Sequence, residues 1–114
     1  MRIRVIAQSP EDFNAWLGHQ EQPAQTPSTD QAKKGLEIFT QKNCANCHFT
    51  GLAPDLTHVG SRETLAADTI PNTPANMAMW LKDPQAIKKG VNMPDNGLTA
   101  DQIKYLTAYL EGLK

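Results

Sequence analysis

The run Cys44-Ala45-Asn46-Cys47-His48 decides how this chain is read. Its two cysteines are the whole cysteine content of the 114 residues. C-x-x-C-H is the attachment sequence for a c-type haem. The spacing has a physical reason. Two thiols three residues apart can each bond a vinyl group of one porphyrin, and His48 is then carried beneath the iron as its proximal ligand. Two other chemistries use a bare C-x-x-C. A zinc site needs further ligands at matching spacing, and no other cysteine is present. A dithiol redox pair belongs with a βαβ pattern, and none surrounds this one. One covalent haem c per chain is therefore the expectation.

Composition agrees. Apolar residues make up 39 % of the chain and charged residues 20 %, so it does not have the composition of a disordered chain. The formal net charge of −1 excludes a strongly basic nucleic-acid binder. No apolar run approaches the ~18 residues that cross a bilayer, so this stretch does not span a membrane by itself. Seven aromatics are few for a dry core of this size, which leaves room for a large apolar group.

A haem iron clamped from both sides needs a second axial ligand. Met77 and Met79 lie in a segment that reads as helix, where methionine usually packs. Met93 lies in Gly90-Val91-Asn92-Met93-Pro94-Asp95-Asn96-Gly97, a loop dense in turn formers. Such a loop can wrap over the haem and aim a thioether at the iron. Pro94 pushes Met93 away from helical geometry. His58 stands only ten residues past His48 and reads as a solvent-exposed histidine. Met93 is the expected ligand.

The flanking segments read as helices. Ser28-Thr29-Asp30 offers an N-cap, and Ala32, Gly35, Leu36 and Phe39 follow at helical spacing. Thr99 to Gln102 fits a capping box. Ile103, Leu106, Leu110 and Leu113 then form an apolar stripe beside Tyr105 and Tyr109. Thr73-Pro74 starts a further helix that runs through Trp80 and stops before Pro84. Gly35 lacks a side chain where the two outer helices would cross, and Phe39 would pack on Leu106 and Tyr109.

With these residues in view, 29–114 resembles a class I cytochrome c domain. The likeness rests on C-A-N-C-H, the Gly35 and Phe39 pair, Met93-Pro94, and the Leu106 and Tyr109 pair. It implies an all-α cytochrome c fold. It also implies that the Pro54 carbonyl accepts a hydrogen bond from the proximal imidazole, and that Leu56 packs on the haem face. Residues 53–62 and 72–85 resemble, more narrowly, the cytochrome domains fused to subunit II of haem–copper cytochrome c oxidases. In that group Arg62 and Trp80, and more weakly Asn72, match donors to a haem propionate. Without that group, Arg62 reads as a solvated charge and Trp80 as core packing. Lys89 stands where many relatives carry proline, which suggests a looser ligand loop.

The first residues do not belong to a cytochrome c fold. Residues 2–6 alternate and read as a short strand. Ser9-Pro10-Glu11-Asp12 starts a helix with Phe13, Trp16 and Leu17 on one face. Residues 1–17 resemble the tail of an oxidase copper domain, with Met1 at a copper-ligand position. The other copper ligands of that family are not in this chain. Residues 18–28 read as a polar linker, followed by the cytochrome domain at 29–114. A flexible linker of this length spans ~17–20 Å and holds its two ends at high mutual concentration.

Haem attachment takes place outside the cytoplasmic membrane, yet the chain starts without a signal peptide. The expectation is a piece of a longer, membrane-anchored protein whose cytochrome domain lies on the periplasmic or extracellular face. The resemblance implies an electron-transfer domain with no catalysis of its own. It would take electrons from a reduced respiratory donor and pass them to the copper domain of the parent oxidase subunit. Two alternatives stay open: a free-standing soluble carrier, and an enzyme or gas sensor with an open sixth position on the iron.

Overall fold

The computed structural model describes residues 2–114; Met1, and with it the copper-ligand position, lies outside the described residues. The main helices start where side-chain caps place them. Thr29 accepts from Ala32 N and opens α2 (Asp30–Gln41). Thr73 accepts from Asn76 N and opens α4 (Pro74–Lys82), with proline in its first turn. Thr99 and Gln102 form a complete capping box at the start of α6 (Ala100–Glu111). Between them lie a one-turn helix α3 (Ala45–His48) and a short α5 (Pro84–Ile87). Each cap satisfies backbone N–H groups that a helix start leaves unpaired.

Helices α2 and α6 cross at Gly35. A Cβ there would lie 2.1 Å from the Tyr105 carbonyl oxygen and 2.5 Å from Tyr109 Cβ, so only glycine fits. One turn on, Phe39 meets Tyr109 edge-on, with ring centres 5.5 Å apart. Phe39, Leu106, Leu110 and Leu113 are buried together with Met77 and Leu81 of α4. Met77 is thus a core side chain, whereas Met79 is half exposed.

The stretch between the haem motif and α4 holds structure that the sequence did not announce. A 3-10 turn at Val59–Ser61 precedes a two-stranded antiparallel hairpin, β1 (Thr64–Leu65) and β2 (Ile70–Pro71). Ala66, Ala67 and Asp68 at its tip all have φ near +60°. That conformation costs ~1–2 kcal/mol for each non-glycine residue. Bonds to the Ala66 carbonyl from Thr69 Oγ1 (2.7 Å) and Lys88 Nζ (2.9 Å) hold it in place.

The N-terminal segment, and His58 beneath it, depart from the reading. Residues 2–6 form no strand: Ile3 and Val5 are 79 % and 88 % exposed, since no second strand pairs with them among the described residues. Helix α1 (Pro10–Gln20) follows the Ser9 cap and runs into the stretch read as linker, which begins at residue 18. Phe13 and Trp16 touch each other and remain about half exposed, so the helix reaches the body mainly through its C-terminal end. His58, expected in solvent, is 6 % exposed. The segment after α1 folds over it, with Gln22 O 3.0 Å from His58 Nε2 and Ala24 packed against the core. No helix among the described residues is long and apolar enough to cross a membrane.

Gly35→Ala is expected to cost the holoprotein ~1–3 kcal/mol, the usual range for overpacking, read as a lower denaturant midpoint. Gly18→Ala, with no neighbour within 4 Å, should leave the midpoint unchanged or raise it slightly.

Candidate haem site

The site is built from the end of α2. Asn43 takes a left-handed φ of 57° and redirects the chain. Asparagine tolerates that conformation better than most residues. Cys44 N then bonds Phe39 O at 3.1 Å, so the motif hangs from the residue that anchors the helix crossing. Cys47 N and His48 N both return to Cys44 O, winding α3. Residues three apart on such a turn share a face. Both cysteines are free thiols, Cys44 half-buried and Cys47 exposed. Burial pushes the Cys44 thiol above its usual range.

His48 Nδ1 lies 2.8 Å from the Pro54 carbonyl oxygen. A carbonyl only accepts, so Nδ1 carries the proton and Nε2 keeps its lone pair. That is the tautomer a ligand to iron requires. The loop between them folds back through Ala53 N to Cys47 O (3.0 Å) and turns at Gly51, whose φ is +81°. Asp55 begins a tight turn of its own. Hydrogen bonds from Thr57 hold its carboxylate below the usual range.

Met93 is half-buried, in a loop that Gln85 and Lys42 bind through its backbone. Gln85 grips both ends of the bend: its Oε1 accepts from Gly90 N at 3.1 Å and its Nε2 donates to Val91 O. Lys42 Nζ reaches across from the end of α2 to Asn96 O at 3.2 Å. This bond ties the loop of Met93 to the helix that leads into the cysteines. Met93, Leu56 and Cys44 all pack against the same buried cluster, together with Ile38, Ala45, Leu98 and Ile103.

The residues fit a haem on two counts. A set of apolar side chains around one core remains only partly buried, which a large planar apolar group would complete. The donor set is two unpaired thiols, one imidazole with a fixed lone pair and one thioether. Among the described residues no group of three or more histidine, cysteine or acidic side chains offers a metal site by itself.

The expected propionate donors have varied surroundings. The Arg62 guanidinium is directed onto the Asp55 carbonyl. Trp80 is half-buried on α4. Asn72 Nδ2 donates to Val59 O and Arg62 O, both at 2.8 Å, so its amide nitrogen braces the 3-10 turn that precedes Arg62. Gln85, Lys42 and Asp55 are the site residues that reading missed. Each acts through a bond to backbone, which leaves no spacing pattern in the sequence.

Residues 32–114 match the family model for cytochrome c. Along its whole length the chain is also similar to three proteins described as cytochrome c oxidase subunit 2. It is 29 % identical to that of Alkalihalophilus pseudofirmus, 32 % to that of Bacillus subtilis and 33 % to that of Bacillus sp. strain PS3. The chain spans 35 % of the length of each.

Asn72→Ala removes both bonds to the turn. It is expected to lower the stability of the holoprotein by ~1–3 kcal/mol in denaturant titration, because the Arg62 carbonyl loses its donor and the Val59 carbonyl keeps only the bond from Arg62 N. Asn76→Ala, at an amide with one backbone bond in the same region, should cost less.

Proposed function

The chain belongs to the cytochrome c family, and from that premise we propose that it is the electron-transfer domain of a respiratory terminal oxidase. The family carries a covalently bound haem c. In this reading Cys44 and Cys47 would form the thioethers, and His48 and Met93 would hold the iron. When bound, the haem supplies a one-electron iron couple, and His/Met ligation raises its potential. The observation that carries the reading is the 2.8 Å contact between His48 Nδ1 and Pro54 O beside two free thiols on one turn. Pro54 orients the ring and increases its basicity. Leu56 and Met93 exclude water from the two sides. Gln85 and Lys42 keep the Met93 loop in place. Arg62 and Trp80 offer their donors to the propionates, and Asn72 supports Arg62 from behind.

Similarity to three oxidase subunits supports a longer parent protein anchored in a membrane, with this domain on the outer face. The proposed donor is a reduced respiratory cytochrome complex or small redox protein. The proposed acceptor is the binuclear copper centre of the same subunit. Residues 1–17 then belong to the copper-domain tail and 29–114 to the cytochrome domain.

Met93→Ala tests the axial assignment. The reduced wild-type protein is expected to bind carbon monoxide poorly and the variant rapidly, with a changed absorption spectrum. An unaltered spectrum and unaltered carbon monoxide binding in the variant would exclude Met93.

Charge predicts the docking behaviour. Residues 29–114 carry nine basic and nine acidic side chains. Phe49, Leu52 and Met79 are 52 %, 81 % and 51 % exposed, so apolar contact is available for docking. Turnover of the intact oxidase with its donor should therefore depend only modestly on ionic strength. A steep fall with added salt would contradict a largely apolar contact.

A further inference from the structure

A second histidine in this chain is set up as His48 is, away from the haem motif. His58 is 6 % exposed, and its Nε2 lies 3.0 Å from the Gln22 carbonyl oxygen. The carbonyl accepts, so Nε2 carries the proton and Nδ1 presents a lone pair. That Nδ1 is buried and has no hydrogen-bond partner. His58 lines a cavity of about 390 Å³ between the end of α1 and the 3-10 turn, together with Trp16, His19, Arg62 and Glu63. The His19 ring stands beside it, with ring centres 4.9 Å apart and planes tilted by 49°.

We propose that His19 and His58 form a two-histidine site for a borderline divalent cation such as Zn²⁺ or Ni²⁺. The ring-centre spacing is compatible with such an ion once a nitrogen of each ring faces it; at His19 Nδ1 the ion would displace only a 3.5 Å contact from Gln20 Nε2. An imidazole nitrogen lies about 1.1 Å from its ring centre and binds zinc at about 2.0–2.1 Å. Two such ligands about 90–109° apart at the ion place the ring centres about 4.5–5.2 Å from each other. The Gln22 carbonyl is the outer partner that fixes the ligating tautomer. Water would fill the rest of the shell, since among the described residues no group of three or more histidine, cysteine or acidic side chains is placed to hold an ion. The local charge is tolerable for a cation. Arg4 is engaged by Glu63 and lies 3.9 Å from Asp68, and Arg62 is turned onto the Asp55 carbonyl. A bound ion would join the end of α1 to the body of the domain, in addition to the Gln22 bond.

The test is isothermal titration of the haem-loaded protein with Zn²⁺ and with Ni²⁺, each alone; both are chosen because the haem iron does not exchange electrons with them. One ion per chain is expected. His19 is exposed, so His19→Ala keeps the fold, checked by an unchanged haem spectrum, and should weaken binding at least about tenfold. His58→Ala should weaken it at least as much. Absence of binding to the wild-type protein would overturn the site. So would binding of undiminished strength in His19→Ala, or in a His58→Ala protein with an intact haem spectrum.

Discussion

The close approach of α2 and α6 at Gly35 is the constraint on which the rest depends. A hydrogen in place of a methyl lets the Tyr105 carbonyl come within 2.1 Å of where a Cβ would be. That contact brings Phe39 against Tyr109 and the α6 stripe. The Phe39 carbonyl then receives Cys44 N, so the crossing fixes where the cysteine motif begins. Burial of Phe39, Leu106 and Leu110 contributes roughly 1.5–3 kcal/mol each.

Two histidines here are prepared by the same device. A backbone carbonyl takes the proton-bearing nitrogen and leaves the other with its lone pair. Pro54 does this for His48, and Gln22 does it for His58. The difference lies in the surroundings. His48 stands beside two thiols on the turn that carries them. His58 stands beside one imidazole in a cavity at the edge of the domain.

Much of this was legible in the sequence because its signals are local. Thr29, Thr73 and Thr99 mark helix starts by chemistry that acts within three residues. Gly35 and Phe39 show their role through helical spacing. C-x-x-C-H is readable because covalent attachment demands contiguous residues. The misreadings share a cause. Whether residues 2–6 form a strand depends on a neighbouring strand, and whether His58 is exposed depends on a segment 36 residues away. The grip of Gln85 and Lys42 on the Met93 loop runs through backbone carbonyls, which every residue has, so composition carries no trace of it. The left-handed run at Ala66, Ala67 and Asp68 has no glycine to announce it.

The central claim is that an iron porphyrin, bonded through Cys44 and Cys47, completes this small helical body. Mass spectrometry of the mature polypeptide after denaturation tests it most directly. The account predicts one porphyrin retained on the unfolded chain, located by digestion to the peptide containing both cysteines. A polypeptide of unmodified mass, or one whose two cysteines are joined to each other, would contradict it.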